Sequence, residues 1–119
     1  MKILVADDSR TMRMIIIRTL KQAGFSGHAF VEADDGLQAL TCILSEKPGL
    51  VLADWNMPLM TGFELLNAVR NDSLDLRFGF ITAVSSMNAL QKAMNAGADF
   101  FIIKPFTSYS FETELGSIL

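Results

Sequence analysis

Short aliphatic runs and longer stretches of helical period follow one another along this chain. Lys2 to Ala6, His28 to Ala33, Leu50 to Ala53, Phe78 to Ile81 and Asp99 to Ile103 are compact apolar runs, as buried strands require. Between them apolar residues return every three or four positions. Met12, Ile15, Ile16, Thr19 and Leu20 predict a first helix running to Ala23, with Ser9 as its N-cap and Gly24 as its stop. Leu37, Leu40, Ile43 and Leu44 mark the inward face of a second helix, and Phe63, Leu66 and Val69 that of a third. Met87, Leu90 and Met94 give a fourth, closed by Gly97, and Phe111, Leu115 and Ile118 a last one. Pro48-Gly49 and the polar stretch Asn71 to Leu76 break the pattern as loops. Strands alternating with helices through short connections predict an α/β fold, a doubly wound five-stranded parallel sheet with helices on both faces. No linker, repeat or low-complexity stretch interrupts residues 1–119, so the pattern predicts one domain.

The run Leu50-Val51-Leu52-Ala53 ends in Asp54 and stops at Pro58. This places Asp54 at the C-terminal tip of a central strand, the edge at which open α/β sheets bind their ligands. The other runs end in polar groups too: the first in Asp7-Asp8, the fourth in Thr82, the fifth in Lys104. Three carboxylates brought together repel one another, so they need raised pKa values or a cation. A hard divalent ion such as magnesium takes oxygen ligands and keeps waters that a phosphate oxygen can replace. Lys104 and the Thr82 hydroxyl then supply charge and hydrogen bonding to a phosphoryl group. An aspartate beside such an ion can act as a nucleophile and form an acyl phosphate.

Charge and composition narrow the field. With 13 acidic against 10 basic residues, a net charge of -3 offers no basic patch for nucleic acid. No apolar run approaches the roughly 18 to 20 residues of a membrane span, and no signal-type segment opens the chain, so a cytoplasmic location is expected. A single cysteine, Cys42, fits a reducing compartment and reads as a half-buried helix residue. His28 reads as a strand-start histidine without a second ligand, and Trp55 and the seven methionines as packing or adaptable surface. Taken alone, Asp7 and Asp8 could equally cap the first helix, while Asp34 and Asp35 read as a cap and a solvated turn.

The motifs V-A-D-D-S-R-T-M-R at 5–13, E-A-D-D-G at 32–36, A-D-W-N-M-P-L-M-T-G at 53–62, I-T-A at 81–83 and G-A-D-F-F-I-I-K-P-F at 97–106 fall in order across the chain. Together they resemble the response-regulator receiver domains, most of all the single-domain chemotaxis regulators. The resemblance implies a flavodoxin-like strand order 2-1-3-4-5. It also implies that Asp54 is the phosphoacceptor of a two-component phosphorelay. Asp8 and Asp54 would hold Mg2+ directly, with the Asn56 backbone carbonyl, and Asp7 would act largely through water. Lys104 would pair with the phosphoryl oxygens, and Lys104-Pro105 would be a cis bond. Thr82 would bond the phosphoryl group, and Phe101 would be the aromatic switch that follows it. The implied donor is a histidine kinase or phosphotransfer protein, or a small acyl phosphate. The implied output surface is the fourth helix, fifth strand and fifth helix, for a partner the sequence does not name. Such a chain is a phosphoacceptor that assists its own phosphorylation and dephosphorylation, and not an enzyme with a separate substrate.

Phe101 lacks the hydroxyl of the tyrosine often found there, and Val84 stands where the family often has a polar side chain near the phosphate. A receiver fold could serve as a constitutive protein-binding module, against which stands the retention of every reactive position. An aspartyl-phosphate phosphatase of the haloacid-dehalogenase type needs a D-x-D pair, and position 56 is Asn. No G-x-G-x-x-G or G-x-x-x-x-G-K motif supports nucleotide binding.

Overall fold

The computed structural model describes residues 1–119. The chain runs β1 (Lys2–Ala6), α1 (Arg10–Leu20), β2 (Ala29–Ala33), α2 (Gly36–Glu46), β3 (Leu50–Ala53), α3 (Gly62–Asn71), β4 (Arg77–Thr82), α4 (Met87–Asn95), β5 (Phe100–Ile103) and α5 (Ser108–Leu115). All five strands are parallel, in the order β2-β1-β3-β4-β5. The expected α/β architecture and strand order are therefore present. Strand ends shift by one residue from the sequence reading: β2 opens at Ala29, β5 at Phe100, and β4 extends over Arg77 and Thr82.

Alternation along the strands divides the core into two layers. Leu4, Ala6, Val51, Ala53, Phe78 and Phe80 point to the side that holds Ala39 and Ile43 of α2, Leu65, Leu66 and Val69 of α3, and Ala93 of α4. Ile3, Val5, Leu50, Leu52, Ile81 and Ile102 point to the other, against Ile16 and Leu20 of α1 and Phe111 and Leu115 of α5. After β1 the chain steps outward to β2 and then returns across β1 to β3. The crevice at the C-terminal ends of β1 and β3 lies at that change of direction, where such sheets bind ligands.

Ser9 caps α1 by accepting from the Met12 N–H at 3.1 Å, and Gly24, at φ 104°, ends a short wide turn of residues Lys21–Phe25 that extends the helix. Asp35 caps α2 by accepting from the Gln38 N–H. Asp7 and Asp8 cap nothing. Thr61 and Glu64 form a reciprocal capping box at the start of α3. The Arg70 side chain at the end of α3 donates to the carbonyls of Leu74, Leu76 and Gly97, which fixes both loops at the N-terminal edge of the sheet.

The predicted inward face of α2 is corrected, and α4, present as its spacing predicts, buries other residues than the ones that mark it. Leu37 and Leu44 of α2 are 46% and 55% exposed, and Met87 and Met94 of α4 are 74% and 44% exposed. The buried side of α2 is Gly36, Ala39 and Ile43, and that of α4 is Ala89 and Ala93. For α4 the cause is volume: β4 presents Phe78 and Phe80 on this side, and close packing puts small helix residues opposite large strand residues. The second helix lies over β1 and β2 and against α3, and Leu37 and Leu44 lie off the narrow face it buries there. Ile15 of α1 likewise faces outward, and Ile16 and Leu20 make the contact.

The approach of α3 to β3 is equally tight. A methyl group built on Gly62 would lie 2.1 Å from the Asp54 carbonyl oxygen and 2.9 Å from the Phe80 ring. Because the nearest atom is backbone, Gly62→Ala forces α3 away from the strand tip, an overpacking cost of about 2 kcal/mol. In a domain of this size that lowers the thermal midpoint by roughly 10 °C. An unchanged midpoint for this variant in a calorimetric scan contradicts the packing described.

Candidate phosphoryl and cation site

Backbone hydrogen bonds carry the ladder one residue past the strands. The Asp7 N–H donates to the Ala33 carbonyl at 3.1 Å, and the Asp54 N–H to the Ala6 carbonyl at 3.0 Å. On the other side of β4, the Lys104 N–H donates to the Thr82 carbonyl at 2.8 Å. Each polar tip residue is thus pinned to the last residue of a neighbouring strand, and the side chains meet because the tips are in register.

Lys104 Nζ stands 3.1 Å from Asp7 Oδ2 and 3.1 Å from Asp54 Oδ2, bridging carboxylates from β1 and β3. Asp7 is almost wholly buried, at 2% exposure, and its Oδ1 accepts from the Ser9 N–H at 2.9 Å. Oxygens of Asp7, Asp8 and Asp54 lie within 4.8 Å of one another, with Asp8 exposed at the mouth. Asn56 is exposed beside it and, with Asp8, Pro58 and Thr61, lines a shallow depression. Thr82 is buried, and its Oγ accepts from the Val84 N–H at 3.2 Å, which leaves the hydroxyl proton uncommitted. Lys104-Pro105 is cis.

Burial pushes the Asp7 carboxyl above its ordinary range, only partly offset by the Ser9 N–H and Lys104, and the charge of Asp54 adds to the rise. Burial alone would lower the Lys104 ammonium, but the Asp54 charge and the bonds to both carboxylates outweigh it and the net shift is upward. Lys104 therefore stays charged through the physiological range. Three carboxylates against one ammonium leave a formal excess of two negative charges. A donor set of hard oxygens with that excess fits a hard divalent cation and not a soft one.

Phe101 is half-buried. Its ring centroid is 5.7 Å from that of Phe80 and 6.1 Å from that of Trp55, which also stacks on Phe63 at 5.3 Å. Trp55, read as packing, joins the residue after Asp54 to Phe101 through an aromatic cluster. Cys42 is half-buried, with burial pushing its thiol up. One supporting pair went unread in the sequence. The Arg13 guanidinium donates to the Asp7 backbone carbonyl at 2.7 Å and to Glu32 at 2.9 Å, tying α1 to the tips of β1 and β2. No spacing announces that contact, since Glu32 comes from a different strand.

Residues 3–115 match the family described as the response regulator receiver domain. The chain is 40% identical over 120 residues to the chemotaxis protein CheY of Pseudomonas aeruginosa, spanning 99% of this chain and 95% of that one. It is 39% identical over 120 residues to CheY-3 of Vibrio cholerae, spanning 99% and 91%. The structure of the chemotaxis response regulator CheY4 of Vibrio cholerae superposes with a TM-score of 0.85 at 32% identity, covering 99% of this chain and 98% of that one. A match over nearly the whole length, together with the strand order and the acidic crevice, means that this chain belongs to the response-regulator receiver family of two-component signalling.

Proposed function

We propose that this chain is a phosphorylation-activated switch whose phosphoacceptor is Asp54. The observation that carries the reading is Lys104 Nζ held at 3.1 Å from both Asp54 and Asp7, in a crevice where a third carboxylate, Asp8, opens to solvent. An Asp54 carboxylate oxygen attacks the phosphorus of a phosphohistidine on a histidine kinase or phosphotransfer protein. The P–N bond breaks, its electron pair stays on the imidazole, and an acyl phosphate forms.

Asp8, Asp54 and the Asn56 carbonyl, with Asp7 behind them, are the groups that would hold Mg2+. When bound, that ion offsets the negative charge of the phosphoryl oxygens. Lys104 is already in contact with the attacking carboxylate and keeps its proton, so it can pass its ion pair to the new phosphoryl group. Thr82 has its hydroxyl proton free to donate to the same group. Drawing Thr82 toward the phosphate vacates space beside β4, into which Phe101 turns, and the outer face of α4, β5 and α5 changes for a partner protein. The partners proposed are protein donors and protein targets in the cytoplasm. No helix is long and apolar enough to cross a membrane.

Incubation with acetyl phosphate and Mg2+ should add one phosphoryl group by intact mass, and Asp54→Ala should abolish it while the fold persists. Labelling of that variant at full stoichiometry sinks the assignment. Lys104→Ala should slow labelling by about 10²-fold, the scale for loss of one preorganised donor, and should uncouple Trp55 fluorescence from it. Asp7→Asn makes a third test, because burying an ionised carboxylate costs stability that the amide does not. Without divalent cation at neutral pH the variant should be more stable than wild type. Asp7 has a raised folded pKa, so its penalty is present above that pKa and vanishes as the carboxyl protonates. The advantage should therefore fade as pH falls, and denaturant melts in chelator at several pH values measure it. Equal stability at neutral pH removes the argument from burial.

A further inference from the structure

We propose that the outward leucine stripe of α2 is a contact through which two copies of this chain pair antiparallel, about a twofold axis passing between Leu40 and Thr41. Leu37, Leu40 and Leu44 repeat at spacings of three and four and fall within an arc of about 60° on the helix surface, and Lys47 follows as the left-handed residue that ends the helix. Leu37 and Leu44 are 46% and 55% exposed, and Leu40 is half-buried between them. No charged residue lies from Gly36 to Ser45. A comparable apolar row, Met87, Leu90 and Met94, lies on α4, but the α2 row alone is flanked by unpaired charges of opposite sign at its two ends, and α2 takes no direct part in the crevice chemistry.

Charge complementarity identifies the occupant as a second copy. Asp34, just before the stripe, and Lys47, at its end, are both exposed, and neither has an ionic partner in its own chain. Placing a reversed copy so that Leu37 faces the partner's Leu44 brings Asp34 opposite the partner's Lys47, and the same pair recurs at the other end. Each helix then sets its acidic N-terminal end beside the basic end of its neighbour, with dipoles antiparallel. A groove of about 450 Å³ adjoins the stripe, lined in part by Leu44, Lys47, Pro48, Leu74, Asp75 and Leu76, and can take the partner's Leu37. Three leucines a side make a small contact, which belongs with weak, reversible associations. The pairing is independent of phosphoryl transfer and leaves α4, β5 and α5 uncovered.

Sedimentation equilibrium of the whole chain between roughly 10 µM and 1 mM, where weak contacts saturate, tests this. A monomer–dimer equilibrium is expected, weakened at least about tenfold by Leu44→Glu, which puts a charge against the partner's Leu37 at both ends of the contact. Asp34→Lys and Lys47→Asp should each weaken it, and the double variant should return to near the wild-type constant, since both charges swap. Aspartate is tolerated at position 47, whose φ is 50°, and circular dichroism checks that each variant is folded. A wild-type chain that stays monomeric throughout leaves the stripe to a different protein and overturns the pairing. So does association that Leu44→Glu leaves unchanged, or a double variant no tighter than the single ones.

Discussion

Asp7, Asp8 and Asp54 stand at the ends of two adjacent strands and must be held together against their own repulsion. The Lys104 ammonium between Asp7 and Asp54 does this in the chain as it stands. It can do so because β5, although two strands away from β3, delivers the lysine over the Thr82 tip of β4. The lysine bridge between the carboxylates is therefore a property of the whole sheet order. It would not exist in a sheet whose fifth strand lay at the opposite edge.

The same contact explains why the site is stiff below and open above. Asp7 is buried and fixed by the Ser9 N–H, and its own carbonyl is held by Arg13, so the floor of the crevice is tied to α1 and β2. Asp8 and Asn56 at the rim are exposed and free of such ties. A buried polar floor costs free energy that its hydrogen bonds only partly return. The apolar layers on both faces of the sheet offset it, and no buried side-chain donor or acceptor is left unpaired.

The strand tips were legible because an apolar run that stops at a polar residue marks both the strand and what it carries to the edge. Asp7, Asp54, Thr82 and Lys104 were all found this way, and the structure brings Asp7, Asp54 and Lys104 into contact. The inward face of α2 was misread for a physical reason. Periodicity weights large apolar side chains, but α2 buries a narrow face of Gly36, Ala39 and Ile43 over β1 and β2, which leaves Leu37 and Leu44 outward. On α4, Ala89 and Ala93 are buried, the latter with Phe78 and Phe80, which leaves Met87 and Met94 outward. The Arg13 brace was invisible because it joins residues 19 apart across two elements, and only the parallel pairing of β1 with β2 brings them together.

The alanine face of α4 also bears on motion. A helix that buries Ala89 and Ala93 and leaves Met87 almost free removes little apolar surface from water, so its attachment to the sheet is far weaker than that of α3, which buries Leu65, Leu66 and Val69. Local opening free energies follow such differences, and segments that shift between states come from the weakly held end of the range. In this molecule the helix that adjoins Thr82 through the Val84–Ser86 connection is also the one with the shallowest root. A change at the crevice therefore meets its least resistance there, while α3, beside the phosphoacceptor strand, stays as a fixed wall.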